Sequence, residues 1–232
     1  MRRALRPAAR CAVALVALAL AGCIRFPSTA RAARPEAISP ARGWISVRAV
    51  EPVRQESARD CGPAAIAMVV RFWGVPLRLA DATRAALLAG SDRGSTLGAL
   101  RDVARARGLT AFAIRADRAT LQHELERGRP VVVGLLRARG DRRLSHYEVV
   151  VGIRPDSGDV ATIDPAAGLG IRRWSQLAAE WDPAGRPALV VIGRAGRTAR
   201  ASHGQELEGV VPRAGRDAVE HPDDAHGLEV AR

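Results

Sequence analysis

Residues 63–73 (PAAIAMVVRFW) are apolar on nearly every side. As a helix this stretch is about 17 Å long, too short to cross a bilayer. It therefore has to be covered all round, at the centre of a globular core. Pro63 suits its first turn and Gly74 its stop. Two amphipathic helices follow, near 79–89 and 96–107. Ser95 or Thr96 caps the second, and Gly108 ends it. A short strand at 110–115 and a helix at 117–127 come next. Residues 130–136, 146–153, 160–164 and 187–193 are short, β-branched runs that read as strands. Ser175 to Trp181 forms a short helix before the last of them. Helices first and strands later is the α+β pattern, here with a central buried helix packed on an antiparallel sheet. No internal repeat is visible.

The two ends read differently. Arg2, Arg3 and Arg6 precede an apolar run at 11–21, too short for a membrane span, and together they make an export signal over 1–22. Leu20-Ala21-Gly22-Cys23 resembles a bacterial lipobox, which implies cleavage before Cys23 and lipidation of its thiol. Ile24, rather than Asp, fits sorting to an outer membrane facing the periplasm. Several acyl chains, at about 0.8 kcal/mol per buried methylene, anchor stably. Residues 23–45 are rich in Pro, Ala and Arg without apolar periodicity and read as a membrane tether. The folded domain then spans 46–194, and 195–232 is a polar tail with the composition of disorder.

The net charge of +12 points at nucleic acid, but the pattern argues against it. All 36 basic residues are Arg, and they are scattered rather than gathered in a stripe. Aromatic residues are only 3%, so no stacking platform is expected for single strands. The lack of Lys also excludes a P-loop, Schiff-base catalysis and a Ser–Lys dyad.

Three cysteines are present, and Cys11 and Cys23 belong to the signal and its lipobox. Cys61 is left alone in a chain bound for an oxidising compartment. It is either a buried core thiol or one kept for its chemistry. Its neighbours favour chemistry. It sits just before the central helix, where the dipole favours a thiolate. Gly62 leaves room for a substrate backbone. Gln55, six residues earlier, can donate its amide N–H to an oxyanion beside the Cys61 backbone N–H. His146 begins one strand, the turn Pro155-Asp156-Ser157-Gly158 reverses the chain, and Asp164 ends the return. Counted from the turn, His146 and Asp164 lie at one end of a hairpin, within about three residues of register. This is the arrangement of nucleophile, base and orienter.

Gln55, Asp60-Cys61-Gly62-Pro63-Ala64-Ala65, His146-Tyr147-Glu148-Val149-Val150 and Ile163-Asp164-Pro165 together resemble the bacteriocin-processing cysteine peptidases, the papain-like domains that cut double-glycine leaders. The resemblance covers residues 50–194. It implies a papain-like fold, Cys61 as nucleophile, His146 as base, Asp164 orienting His146, and Gln55 in the oxyanion hole. Such domains are often fused to an ABC transporter. No membrane-spanning bundle or nucleotide motif follows here, which leaves the leader-peptide substrate open.

Taken singly, these residues have plainer readings: His146 as a strand-edge residue, Asp164-Pro165 as a strand end and turn, Gln55 as a loop hydrogen-bonder. His123, Glu124 and Glu126 lie on a charged helix face, and His203, His221, His226, Asp223 and Asp224 in the tail match no compact metal site. The expectation is an envelope-anchored peptidase acting on a peptide or protein, with no cofactor, no metal and no nucleic-acid partner. A thiol transpeptidase or amidase, or a peptide-binding module of an export system, are the alternatives.

Overall fold

The computed structural model describes residues 28–88 and 94–193. The export signal, Cys23 and the tail at 195–232 lie outside the described residues, as do the tail histidines. No helix among the described residues is long and apolar enough to cross a membrane.

The central helix α1 (Cys61–Phe72) buries every residue from Cys61 to Val70. The helices α2 (Leu79–Leu88) and α3 (Leu97–Ala106) flank it. Thr96 caps α3, its hydroxyl accepting from the Ala99 N–H. After β3 (Thr110–Arg115), Asp117 caps α4 (Arg118–Glu126) in the same way through Thr120. The strands β4 (Val131–Arg139), β5 (Arg142–Arg154), β6 (Asp159–Asp164) and β7 (Gly168–Arg173) follow, then α5 (Trp174–Trp181) and β8 (Pro187–Ile192).

All strand pairs are antiparallel, in the order β1-β7-β6-β5-β4-β8-β3, β1 being Arg31–Ala32. The sheet is covered on both faces, which is why its strands read as continuous apolar runs rather than alternating ones. Val132, Val149, Val151, Ala161, Leu189 and Val191 pack with α1, α2 and α3. Val131, Val133, Leu135, Val150, Val160 and Val190 pack with Leu121 and Leu125 of α4 and Leu177 and Trp181 of α5. This is the α+β architecture that the sequence predicts, with the buried helix laid on an antiparallel sheet.

Two features differ from that expectation. Residues from Ser28 onward are not a free tether. The strand β1 (Arg31–Ala32) pairs with β7, and β2 (Ile45–Ser46) pairs with β5 beyond the end of β4. Ile38 and Trp44 are buried in the α1-side core. The domain therefore begins well before residue 46. Sparse apolar residues hid this, because backbone pairing rather than periodicity holds the segment. The second is β7 itself, which reads poorly as a strand because of Gly168 and Gly170. Gly170 is needed for close approach: a Cβ there would stand 2.8 Å from the Ala30 Cβ and 3.1 Å from the Arg31 carbonyl oxygen.

Candidate active site

Cys61 is the first residue of α1, one position further into the helix than its sequence placement just before it. It is buried and unpaired. Gly62 behind it is closely packed: a Cβ would lie 3.1 Å from Tyr147, 3.3 Å from Leu100 and 3.3 Å from Ser95, so these side chains would have to give way by a few tenths of an ångström. The loop before the helix is pinned by Asp60, whose carboxylate accepts from the Ser57 N–H at 2.8 Å. Tyr147, tucked against this first turn, donates its hydroxyl to the Ser95 carbonyl at 3.1 Å. Burial and the nearby sulfur push its phenol up to about 12.

His146 sits on β5, and the hairpin turn occupies residues 155–158 between β5 and β6. The pairing Val149↔Ile163 puts Asp164 opposite Glu148, two residues from His146. Because β6 pairs only with Val149–Arg154, the His146 end of β5 is a free edge on that side. Alternation from Val150 and Val160 sends His146, Glu148 and Asp164 to the α5 face. At the free edge the first turn of α1, which packs on the other face, reaches the imidazole. Nε2 of His146 lies 2.9 Å from Oδ1 of Asp164. The Cys61 thiol stands near enough to this imidazole to favour its protonated form, and with Nε2 on Asp164 it is Nδ1 that remains for the sulfur. Burial opposes a charge on this imidazole. The Asp164 and Cys61 hydrogen bonds outweigh burial and the repulsion of Arg137, and they lift it to about 9. Burial also opposes ionisation of Asp164, yet the hydrogen bond and charge of His146 and the charge of Arg137 hold its carboxyl well below the usual range.

Gln55 is placed differently from the other three. Its backbone N–H donates to the Pro165 carbonyl at 3.1 Å, tying this loop to the end of β6. Its Nε2 donates to the Ser57 carbonyl at 3.0 Å, and its Oε1 is buried without a partner. Among the described residues its side chain bonds to none of Cys61, His146 and Asp164. An amide nitrogen carries two hydrogens, and Ser57 takes one.

The surroundings of Asp164 went unread in the sequence. Arg137 donates from Nη2 to Oδ2 of Asp164 at 2.9 Å and also to Glu148. Its Nε lies 3.4 Å from Oε2 of Glu180. Arg172 bridges Glu148 and Glu180 from β7, the latter at 3.0 Å. All are buried. The legible signal was Glu148, a lone carboxylate in the run HYEVVVGI and two residues from His146, hence on its face. The donor atoms of His146, Glu148 and Asp164 lie within 4.8 Å of one another, a spacing a metal ion would accept. Arg137 occupies both carboxylates, so a cation there would have to displace a guanidinium. His123 is exposed on α4 and Glu124 pairs with Arg129 at 3.1 Å, as expected of a charged face.

Comparisons with known proteins bear on the family and the fold. Residues 47–189 match the model of the Peptidase_C39 like family. An uncharacterized protein of Methanothermobacter marburgensis is 34% identical over 123 residues, covering 52% of this chain and 76% of its own length. The peptidase domain of Streptococcus ComA, a bifunctional ABC transporter involved in quorum sensing, superposes with a TM-score of 0.53 at 24% identity, over 63% of this chain and all of that domain. A double-glycine-motif protease of an AMS/PCAT transporter, solved with its leader peptide, gives 0.51 at 20% identity, over 63% of this chain and 93% of that one. A C39-like peptidase of Bacillus anthracis gives 0.51 at 16% identity, over 66% and 99%. These likenesses place the fold among papain-like peptidases. The chain belongs to the Peptidase_C39 like family and is a cysteine-type peptidase.

Proposed function

We propose that the protein cleaves peptide bonds at the cell envelope through a triad of Cys61, His146 and Asp164. The observation that supports this most directly is one imidazole hydrogen-bonded through Nε2 to the Asp164 carboxylate, with the Cys61 thiol close beside the ring. The Cys61 sulfur attacks the scissile carbonyl carbon as a thiolate. The resulting oxyanion is held by the Cys61 backbone N–H at the start of α1 and by the second Nε2 hydrogen of Gln55. The C–N bond breaks as the His146 imidazolium gives its proton to the leaving amine. Water, deprotonated by the now neutral imidazole, attacks the thioester carbonyl, and the thiol and a free carboxylic acid are released. Asp164 keeps the ring oriented and balances its charge throughout.

The substrate class follows from the relatives: a peptide whose leader ends in two glycines is the first probe, since one neighbour was solved with a leader peptide. Lipidation at Cys23 brings the domain to a membrane face where exported peptides pass. Cys61→Ala and His146→Ala each lower turnover of such a peptide by about 10³-fold or more, and Gln55→Ala by about 10²-fold. Mass spectrometry of the products separates hydrolysis, which leaves a free acid, from transfer to a second amine. Undiminished cleavage by Cys61→Ala would end this reading. Labelling with radioactive palmitate, lost in Cys23→Ser, tests the anchor.

A further inference from the structure

The acyl-transfer scheme makes no use of the buried charges behind Asp164, although burying them is expensive. They come from five elements: Arg137 from β4, Glu148 beside His146 on β5, Asp164 from β6, Arg172 from β7 and Glu180 from α5. On the far side of His146 the facing groups are Cys61 of α1 and, near it, the partly buried Tyr147 phenol. The hydroxyl of Thr29, before β1, closes the cluster, donating to Glu180 at 3.2 Å and accepting from Arg172 at 3.1 Å. Two guanidiniums against three carboxylates leave one negative charge, which an imidazolium on His146 cancels. The cluster is therefore neutral only when His146 carries its proton.

The geometry is as specific as the charge. Oδ1 of Asp164 faces His146 and accepts from the Ala166 N–H at 2.7 Å, while Oδ2 faces Arg137. Both oxygens are held, so the carboxylate plane cannot turn. Arg137 is in turn gripped by Glu148 through Nη2 and by Glu180 through Nε. We propose that Arg137 is a positioning residue that pins Asp164 Oδ2 so that Oδ1 meets His146, and that the Glu148–Arg172–Glu180 frame sets the charge balance that keeps the imidazole protonated at rest. This rests on the Cys61–His146–Asp164 reading above.

The test uses the full chain in detergent and iodoacetamide as the probe. Alkylation is read on the tryptic peptide of residues 60–71, which separates Cys61 from Cys11 and Cys23. The rate against pH has a lower step, where the ion pair forms, and an upper step, where the imidazolium loses its proton; both belong to the pair. Glu148→Gln removes a negative charge beside His146 and moves the upper step down by about one pH unit. Arg137→Met removes a positive charge and moves it up by about one unit. Arg137→Lys keeps the charge but not the planar fork: the upper step stays and the plateau below it drops several-fold. Near-ultraviolet circular dichroism checks folding of each variant. Should Arg137→Met not fold, Glu148→Gln and Arg137→Lys decide. A purely structural cluster would lower the melting temperature without opposite-signed shifts, so folded variants with the parent profile overturn the proposal. His146→Ala is the control for the underlying reading. If it leaves the profile unchanged, the Cys–His pair itself is wrong; if it abolishes the upper step while the other variants do nothing, only the positioning role fails.

Discussion

On the α1 face of the sheet, Val132, Val149, Val151, Ala161 and Leu189 pack into an apolar cluster. On the α5 face, Val133, Val150 and Leu177 share the interior with Arg137, Glu148, Arg172 and Glu180. Both faces are equally buried, yet they are held by different physics. The apolar face gains free energy in proportion to area removed from water and loses it atom by atom. The ionic face is close to break-even while complete and costly when any member is missing. A chain that sought only stability would fill both faces with Leu and Val. The charges stand on the face that carries His146 and Asp164, and this is the reason to read them as serving the site.

The largest expected effect comes from breaking the ionic face. Arg172→Leu leaves Glu148 and Glu180 short of a counter-ion inside the protein and costs about 4 kcal/mol. Adding Glu148→Leu removes the stranded carboxylate and recovers most of that loss. Urea unfolding of the two variants measures both. A loss under about 1 kcal/mol for Arg172→Leu alone would mean that water reaches the cluster and that the contrast between the faces is not real.

The matched cut on the apolar face is Ile66→Ala, in the fully buried middle of α1. It costs about 3 kcal/mol through lost transfer energy and the cavity left behind. Ile66 and Arg172 belong to clusters on opposite faces, so their losses add in the double variant. Strong non-additivity would show that the sheet transmits strain between the faces.

The pH dependence of stability should come from the ionic face alone. His146 is raised from its ordinary value of 6.5 to about 9 in the folded state. A raised basic group stabilises fully below its unfolded value and loses that contribution as pH rises through the folded one. Stability thus falls by up to ~3 kcal/mol between pH 6.5 and 9. Asp164 has the opposite sign: its contribution is present above the ordinary carboxylate range and is lost as acid titrates it below that range. Midpoints of urea unfolding from pH 5 to 9.5 show the alkaline slope, and His146→Gln should flatten it. An equal slope in Ile66→Ala and wild type is required; an equal slope in His146→Gln would sink the assignment.

How far the sequence carried the reading follows the same division. The buried helix was legible because an all-round apolar stretch of that length has few other places to go. The strands were legible as β-branched runs because the sheet is covered on both sides. Cys61 and Asp164 were legible as candidates because each stands at the end of an element, where packing does not need its side chain; His146 lies inside β5, four residues past the Arg142 that begins it, not at the start of the strand as the sequence suggested. The structure brings these three together and leaves Gln55 bonded to Ser57 instead. Arg137, Glu148, Arg172 and Glu180 went unread because a charged residue within a strand or helix ordinarily faces water. Only the fold, by bringing four elements to one point, makes them partners. The start of the domain was misread for a related reason: the pairing of Arg31 and Ala32 with β7 uses backbone groups that every sequence has.

The smallest expected effect tests whether that N-terminal segment belongs to the ionic face. Gly170 lets β1 lie close against β7, and Thr29, just before β1, closes the cluster at Glu180. In Gly170→Ala the new methyl would stand 2.8 Å from the Ala30 Cβ, closer than real contacts allow, and tightly against the Arg31 carbonyl oxygen at 3.1 Å, so β1 has to move off. Thr29 would leave with it, giving up one hydrogen bond to the Glu180 carboxylate and one from the Arg172 guanidinium, at about 2 kcal/mol in all. The Ala33 N–H, which donates to the Leu169 carbonyl at 3.0 Å, should then exchange with deuterium faster, while amides in α1 keep their protection. If Ala33 exchanges no faster, the strand is held by something other than this close approach. If exchange quickens across β5 and β6 as well, the N-terminal segment is part of the charged core rather than a cover laid over it.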